Sequence, residues 1–196
     1  YLAADVYYVT YGCVRNDIDP LVVIDDSIVR GTTLRQSIIT MLDRLHPRQI
    51  VVVSSSPQVR YPDYYGIDMS RMAEFIAFRA AVSLLQRSGR EDVLAQVYEN
   101  ALREIEKPAA SQRNCVKDIY MHFTTEEISG EIARLLTPEG THATVSIVYQ
   151  TVDGLHKAIP SCPGDWYFTG DYPTPGGTRL VNMAYINYYE GNYDKR

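Results

Sequence analysis

Leu21-Val22-Val23-Ile24-Asp25-Asp26-Ser27-Ile28-Val29-Arg30-Gly31-Thr32-Thr33 is the stretch whose reading decides the fold. Its first four residues are apolar and mostly β-branched, the composition of a short buried strand. Two adjacent carboxylates stand at the strand's C-terminal end, followed by a small loop with one glycine and then a helical pattern. A strand, a tight loop and a helix N-terminus form an anion cradle, because unpaired N–H groups and the helix dipole face the same point. The acid pair adds acceptors for two neighbouring sugar hydroxyls, or oxygen ligands for Mg²⁺. Diol acceptors beside a phosphate cradle suit a ribose 5-phosphate.

Working outward, residues 5–11 are β-branched and aromatic and predict a strand, and residues 12–20 carry turn signals. The strand at 21–24 shows no polar alternation, which suits a parallel strand buried on both faces. Leu34, Ile38, Met41, Leu42 and Leu45 recur at helical spacing and Pro47 closes the helix; residues 50–53 predict the next strand. Residues 54–69 form a long loop, the kind that usually carries function. Ser70 is expected to cap a helix that Gly89 stops. A second helix runs to Pro108, and the two predict an αα-hairpin. Residues 109–114 read as a linker and 115–123 as extended. Thr124 with Glu127 spells a capping box. Residues 145–149 predict a strand and 152–159 a short helix; from Pro160 the chain reads as ordered but irregular.

The composition bounds the function. The chain has 196 residues, enough to bury a core, and its net charge of −5 argues against a nucleic-acid surface. No apolar run reaches membrane-spanning length and no signal-peptide pattern opens it. Cys13, Cys115 and Cys162 lie far apart, which fits a reduced, cytoplasmic protein. His46, His122, His142 and His156 lack ligand spacing and read as surface or capping residues.

Residues 23–33 resemble the phosphoribosyl pyrophosphate (PRPP) signature of type I phosphoribosyltransferases. The wording Asp-Asp-Ser-Ile-Val-Arg-Gly-Thr-Thr is similar to that of the glutamine phosphoribosylpyrophosphate amidotransferase family (amidophosphoribosyltransferases). A second segment, Arg60-Tyr61-Pro62-Asp63-Tyr64-Tyr65-Gly66-Ile67-Asp68-Met69, also resembles that family, as does Phe168-Thr169-Gly170-Asp171-Tyr172-Pro173-Thr174. The resemblance is good over roughly residues 5–80 and patchy beyond.

It implies an α/β fold: a type I phosphoribosyltransferase-like parallel sheet flanked by helices, incomplete, over residues 1–108, with a mixed α/β C-terminal extension over 109–196. It also implies that Asp25 and Asp26 hold the ribose hydroxyls and help place Mg²⁺. Ser27, Ile28, Val29, Arg30, Gly31, Thr32 and Thr33 would wrap the 5-phosphate. Arg30 could touch phosphate or brace the loop from outside. Ile28 and Val29 would contribute backbone, and Gly31 either close approach to the anion or positive φ. The second segment would lie at the rim of the PRPP site.

Family members that carry an iron–sulfur cluster have Cys in the Tyr-Pro-X stretch and a Cys pair just before Phe-Thr-Gly. Asp63 and Gly164-Asp165-Trp166-Tyr167 stand there instead, so no cluster is expected. The expected activity is amidophosphoribosyl transfer in purine synthesis, with PRPP and purine nucleotides as ligands and a symmetric homo-oligomer. An N-terminal glutaminase domain, a pyrophosphate loop and a flexible loop would precede this segment, so the chain is expected to be a C-terminal fragment that does not turn over alone. Two alternatives remain open: a PRPP- or nucleotide-sensing module without chemistry, and a salvage phosphoribosyltransferase, against which the second segment and the long extension stand.

Overall fold

The computed structural model describes residues 12–63, 69–161 and 164–192. The strand expected at residues 5–11 lies outside them. The α/β class is borne out: β1 (Pro20–Asp25), β2 (Gln49–Ser54) and β3 (Thr144–Tyr149) form a parallel sheet in the order β1-β2-β3. The register runs Pro20–Gln49–Thr144 at one end and Asp25–Ser54–Tyr149 at the other. All three strands therefore end level at their carboxyl tips. Parallel neighbours need a crossover. The first is the helical run 32–43, a π turn (Leu34–Ile38) leading into α1 (Ile39–Asp43).

Burial on both faces of β1, expected from its apolar run, is not found. Val22 is 63% and Ile24 77% exposed, and Val148 on β3 is also exposed. Register puts these side chains on one face of the sheet, while Ile50, Val52 and Ile147 bury on the other. The strand is apolar throughout, yet the helices here cover one side only.

Downstream, the long loop leads through a 3₁₀ turn (Met72–Glu74) into α2 (Ile76–Arg87). This helix starts later than Ser70 suggested, because Phe75 stays extended and no side chain caps the end. α3 (Asp92–Ile105) follows across Gly89, whose φ of +68° makes the reversal. The expected αα-hairpin does not form a close pair. α2 packs chiefly on α5 (Thr125–Leu136) and α3 on α8 (Pro175–Tyr189), since each apolar stripe meets a different partner.

Residues 109–114 are tied back rather than free. The buried Glu104 carboxylate accepts from Lys107 Nζ at 2.6 Å and from Arg113 N at 2.9 Å. The extended reading of 115–123 is corrected: α4 (Lys117–Tyr120) buries Ile119 and Tyr120. The capping box is present, with Glu127 N donating to Thr124 Oγ1 and Thr124 N to Glu127 Oε2. α6 (Val152–Ala158) matches the expected short helix.

The tail is more regular than its composition suggests. α7 (Trp166–Thr169) and the 15-residue α8 occupy it, with Thr174 accepting from Gly177 N and Pro175 at the first position. Fully buried Val181 and Tyr185 hold α8 down, and Tyr185 donates its hydroxyl to Leu94 O. Burial of side chains this large, at roughly 1.5–3 kcal/mol each, outweighs two helical glycines at about 1 kcal/mol each. One apolar core runs from Ile28 to Ile186 and draws on residues both before and after position 108.

Glu131 on α5 is the sharpest polar feature of this core. It is buried and accepts from Ser83 Oγ, Arg87 Nη1 and both Nε and Nη2 of Arg134. Burial alone would raise its carboxyl, but the bonds from Arg134 and Ser83 outweigh it and hold it below its ordinary value of 4.5. With the folded value depressed, the stabilisation is complete above about pH 4.5 and is lost as pH falls through the folded value. Glu131→Gln is expected to cost about 1–3 kcal/mol in urea unfolding at pH 7. The gap between variant and parent should narrow as pH is lowered below 4.5; an equal gap at pH 7 and at low pH would contradict the charge's role.

Candidate functional site

The chemistry gathers at the carboxyl tip of β1. Asp25 is half-buried as the last residue of the strand, and Asp26 is exposed just beyond it. Each carboxylate turns back on its own backbone: Asp25 Oδ1 accepts from Asp26 N at 3.0 Å, and Asp26 Oδ1 from Ser27 N at 2.8 Å. Burial first, then the Asp26 carboxyl beside it, push the Asp25 carboxyl above its ordinary value. An acid in that state gains from a hydroxyl donor or a cation.

The loop that follows keeps its donors free. Arg35 N closes the first helical bond on Gly31 O. Among the described residues, the N–H groups of Ile28, Val29, Gly31, Thr32 and Thr33 donate to nothing within the chain. A cleft of about 520 Å³ is lined by Asp25, Ser27, Ile28, Val29, Arg30, Gly31, Thr32 and Thr33, with Leu34 and Ile38 behind. Asp26 alone of the sequence candidates does not line it.

Three contacts set the loop's shape. Ile28 is buried in the core, so it offers only backbone, and Val29 O accepts from Ile76 N at the start of α2. Arg30 Nη2 lies 2.5 Å from Glu74 Oε2, ahead of α2. Gly31 has φ +70°, and a Cβ there would lie 2.5 Å from Leu136 Cδ2. The backbone there is thus left-handed, and the neighbour a Cβ would meet is on α5.

Ser55, which sequence reasoning missed, secures the acid pair from β2. Its amide donates to Asp25 O and its hydroxyl to Asp26 O at 3.0 Å. The rule that ligands sit where parallel strands end would have pointed to it. Tyr149, level with Ser54 at the end of β3, stands at the same strand tips.

The described residues of the second and third segments close on each other and on the chain around them. Arg60 N and Tyr61 N both donate to Tyr167 O, Tyr172 donates its hydroxyl to Pro62 O, and Asn114 Nδ2 donates to Gly170 O. Tyr61 is 3% exposed, a packing residue. The Arg60 guanidinium lies over the Tyr120 ring, 5.1 Å from its centroid, and donates to Gln58 and Thr125. It faces a separate cleft of about 280 Å³ shared with α5 and α6. Residues 64–68 and Cys162 lie outside the described residues.

Asp63 Oδ2 accepts from Trp166 Nε1 at 2.9 Å. Asp63 stands where the resemblance would put one iron–sulfur ligand, and Trp166 lies within the stretch where it would put the Cys pair. A carboxylate–indole pair has no thiolate to offer, so the residues present do not fit a cluster. Among the described residues no group of three or more His, Cys, Asp or Glu could hold a metal ion by itself, and no helix is long and apolar enough to cross a membrane.

With this geometry in place, comparison with known proteins bears out the resemblance. The chain is 36% identical over 116 residues to the amidophosphoribosyltransferase of Haemophilus influenzae, covering 58% of this chain and 22% of that protein. It is 40% identical over 75 residues to that of Pyrococcus horikoshii, covering 38% and 16%. It is 47% identical over 57 residues to that of Pseudomonas aeruginosa, covering 29% and 11%. The chain thus spans about a fifth or less of the length of these curated relatives. No family model matches it.

The loop's dependence on Gly31 is testable against Gly140, which has φ +80° and open space where a Cβ would go. Gly140→Ala should pay only the backbone cost, about 1–2 kcal/mol. Gly31→Ala should exceed it in urea unfolding, because Leu136 must also move. Equal losses at the two positions would show that the contact with Leu136 does not constrain the loop.

Proposed function

We propose that this chain is the part of an amidophosphoribosyltransferase that grips the ribose and 5-phosphate of PRPP. The observation carrying this reading is the single cleft that presents the Asp25 carboxylate and the free loop amides together. The similarity to amidophosphoribosyltransferases supports it. In the whole protein, ammonia freed from glutamine would attack C1 of PRPP. The C1–N bond forms as the C1–O bond breaks, the electron pair leaves with pyrophosphate, and phosphoribosylamine results. Positive charge builds on the ribose ring as the leaving group departs. Such a step needs positioning and charge stabilisation more than covalent help.

Each residue has a part. Asp25 and Asp26 accept from the ribose diol, and they orient the ring so that C1 faces the incoming nitrogen. The amides of Ile28, Val29, Gly31, Thr32 and Thr33 and the hydroxyls of Ser27, Thr32 and Thr33 hold the 5-phosphate, and the helical run that begins at residue 32 adds its dipole. Arg30, held by Glu74, braces the loop from behind. Asp25 and Asp26 are hard oxygen donors that fit Mg²⁺ in the company of substrate oxygens, the usual way a site with few protein ligands holds that ion. Bound there, Mg²⁺ would neutralise charge on the departing pyrophosphate. Purine nucleotides carrying the same ribose 5-phosphate would occupy the same grip. The glutaminase domain of the longer protein and further copies of the chain complete the proposed assembly.

Two experiments test this. Calorimetry with PRPP and Mg²⁺ should find binding to this chain weakened about tenfold or more in Asp25→Asn, as expected when a charged hydrogen-bond acceptor is lost. Unchanged affinity would remove the acid pair from the site. A coupled assay on residues 1–196 alone should detect no glutamine-dependent release of pyrophosphate, since the resemblance assigns glutamine hydrolysis and the pyrophosphate loop to segments outside it. Turnover by this chain would overturn that division.

A further inference from the structure

Across the sheet from Asp25 stands a tyrosine that nothing so far has used. The last residues of the three strands form one row, Asp25–Ser54–Tyr149, and in parallel register their side chains share a face. The row is pinned just beyond its end: Ser55 N donates to Asp25 O, and Gln150 N to Ser54 O. Ser54, in the middle, is 1% exposed, and its small side chain turns along its own strand to Ser56 O. Asp25 and Tyr149 are two strand spacings apart, roughly 10 Å between Cα atoms. A tyrosine reaching over a serine can close most of that distance.

The Tyr149 hydroxyl is sealed from solvent and has no hydrogen-bond partner among the described residues. A buried donor left unmade is costly, and such exceptions call for an explanation. Burial, and then the charge of Asp25, keep this phenol protonated well above its ordinary value. It is thus a protonated donor on which the acid at the cleft bears.

We propose that Tyr149 is a positioning residue for the ribose grip: its hydroxyl donates to the Asp25 carboxylate when the sugar is bound, and so aims the free lone pairs of that carboxylate at the diol. Asp25 lines the cleft and Tyr149 does not, so the tyrosine acts through the acid and touches no ligand. The donor side of the site, the loop amides that take the phosphate, does not involve it.

The inference rests on the reading of the cleft as a ribose 5-phosphate site, and the test separates the two. Ribose 5-phosphate with Mg²⁺, and inorganic phosphate, are titrated into the full chain, into Tyr149→Phe and into Asp25→Ala. Tyr149→Phe should weaken ribose 5-phosphate by about three- to tenfold, the worth of one hydrogen bond, and leave inorganic phosphate unchanged. If the parent chain binds ribose 5-phosphate through Asp25 and Tyr149→Phe matches it on both ligands, the inference falls and the site reading stands. If both ligands weaken together, the hydroxyl serves the fold and the inference is equally overturned. If the parent chain does not bind ribose 5-phosphate, the site reading falls and takes the inference with it.

Discussion

The parallel register is the constraint on which the rest depends. Ladder bonds between β1, β2 and β3 bring Asp25, Ser54 and Tyr149 level, although they come from three distant stretches of chain. A slip of one residue in any strand would turn its side chains to the opposite face. Asp25 would then leave the cleft, and the buried set Ile50, Val52 and Ile147 would leave the core. The same buried row that stabilises the sheet therefore sets where the acid points.

Around that row, the loop is shaped from behind rather than from the ligand side. Leu136 on α5 leaves no room for a Cβ at residue 31, Glu74 holds Arg30, and Ile76 N takes Val29 O. With these contacts made, the amides of Ile28, Val29, Gly31, Thr32 and Thr33 stay unpaired among the described residues, beside one cleft. Leaving several donors unmade is affordable at an exposed site, where water or an anion takes them, and would be costly in the core. α5 thus links the site to the fold: Leu136 stands under the loop at its C-terminus, Glu131 gathers two arginines and Ser83 at its middle, and Thr125 meets Gln58 and Arg60 at its start.

The joined second and third segments show a different solution to the same problem of holding irregular chain. Tyr167 O, Asp63 and Pro62 O take donors across more than a hundred residues of sequence. Each is a polar group given a hydrogen-bond donor from distant chain, which is what irregular backbone requires when no ladder supplies its bonds.

Local signals were legible in the sequence. The capping box at Thr124, the helical spacing of α1, the apolar runs of β1 and β2, and the acid pair before a glycine loop all depend on residues within a turn or two of one another. The α8 helix was not legible, because Gly176, Gly177 and a run of tyrosines read as irregular until Tyr185 and Val181 meet α2 and α3. Nor was the bare face of β1, since an apolar strand looks the same whether one side or both are covered. The start of α2 moved past Ser70 because Phe75 is held extended by its own burial. By itself, then, the sequence determined the strand–loop–helix motif, the charges placed on it and the family it resembles. Only the tertiary structure decided that Arg30 pairs with Glu74, that Asp25 lines the cleft while Asp26 accepts from Ser27 N, and that Tyr149 stands in the row of Asp25. Those outcomes depend on register and on which helix lies behind the loop, and such long-range contacts leave no period or spacing in the chain.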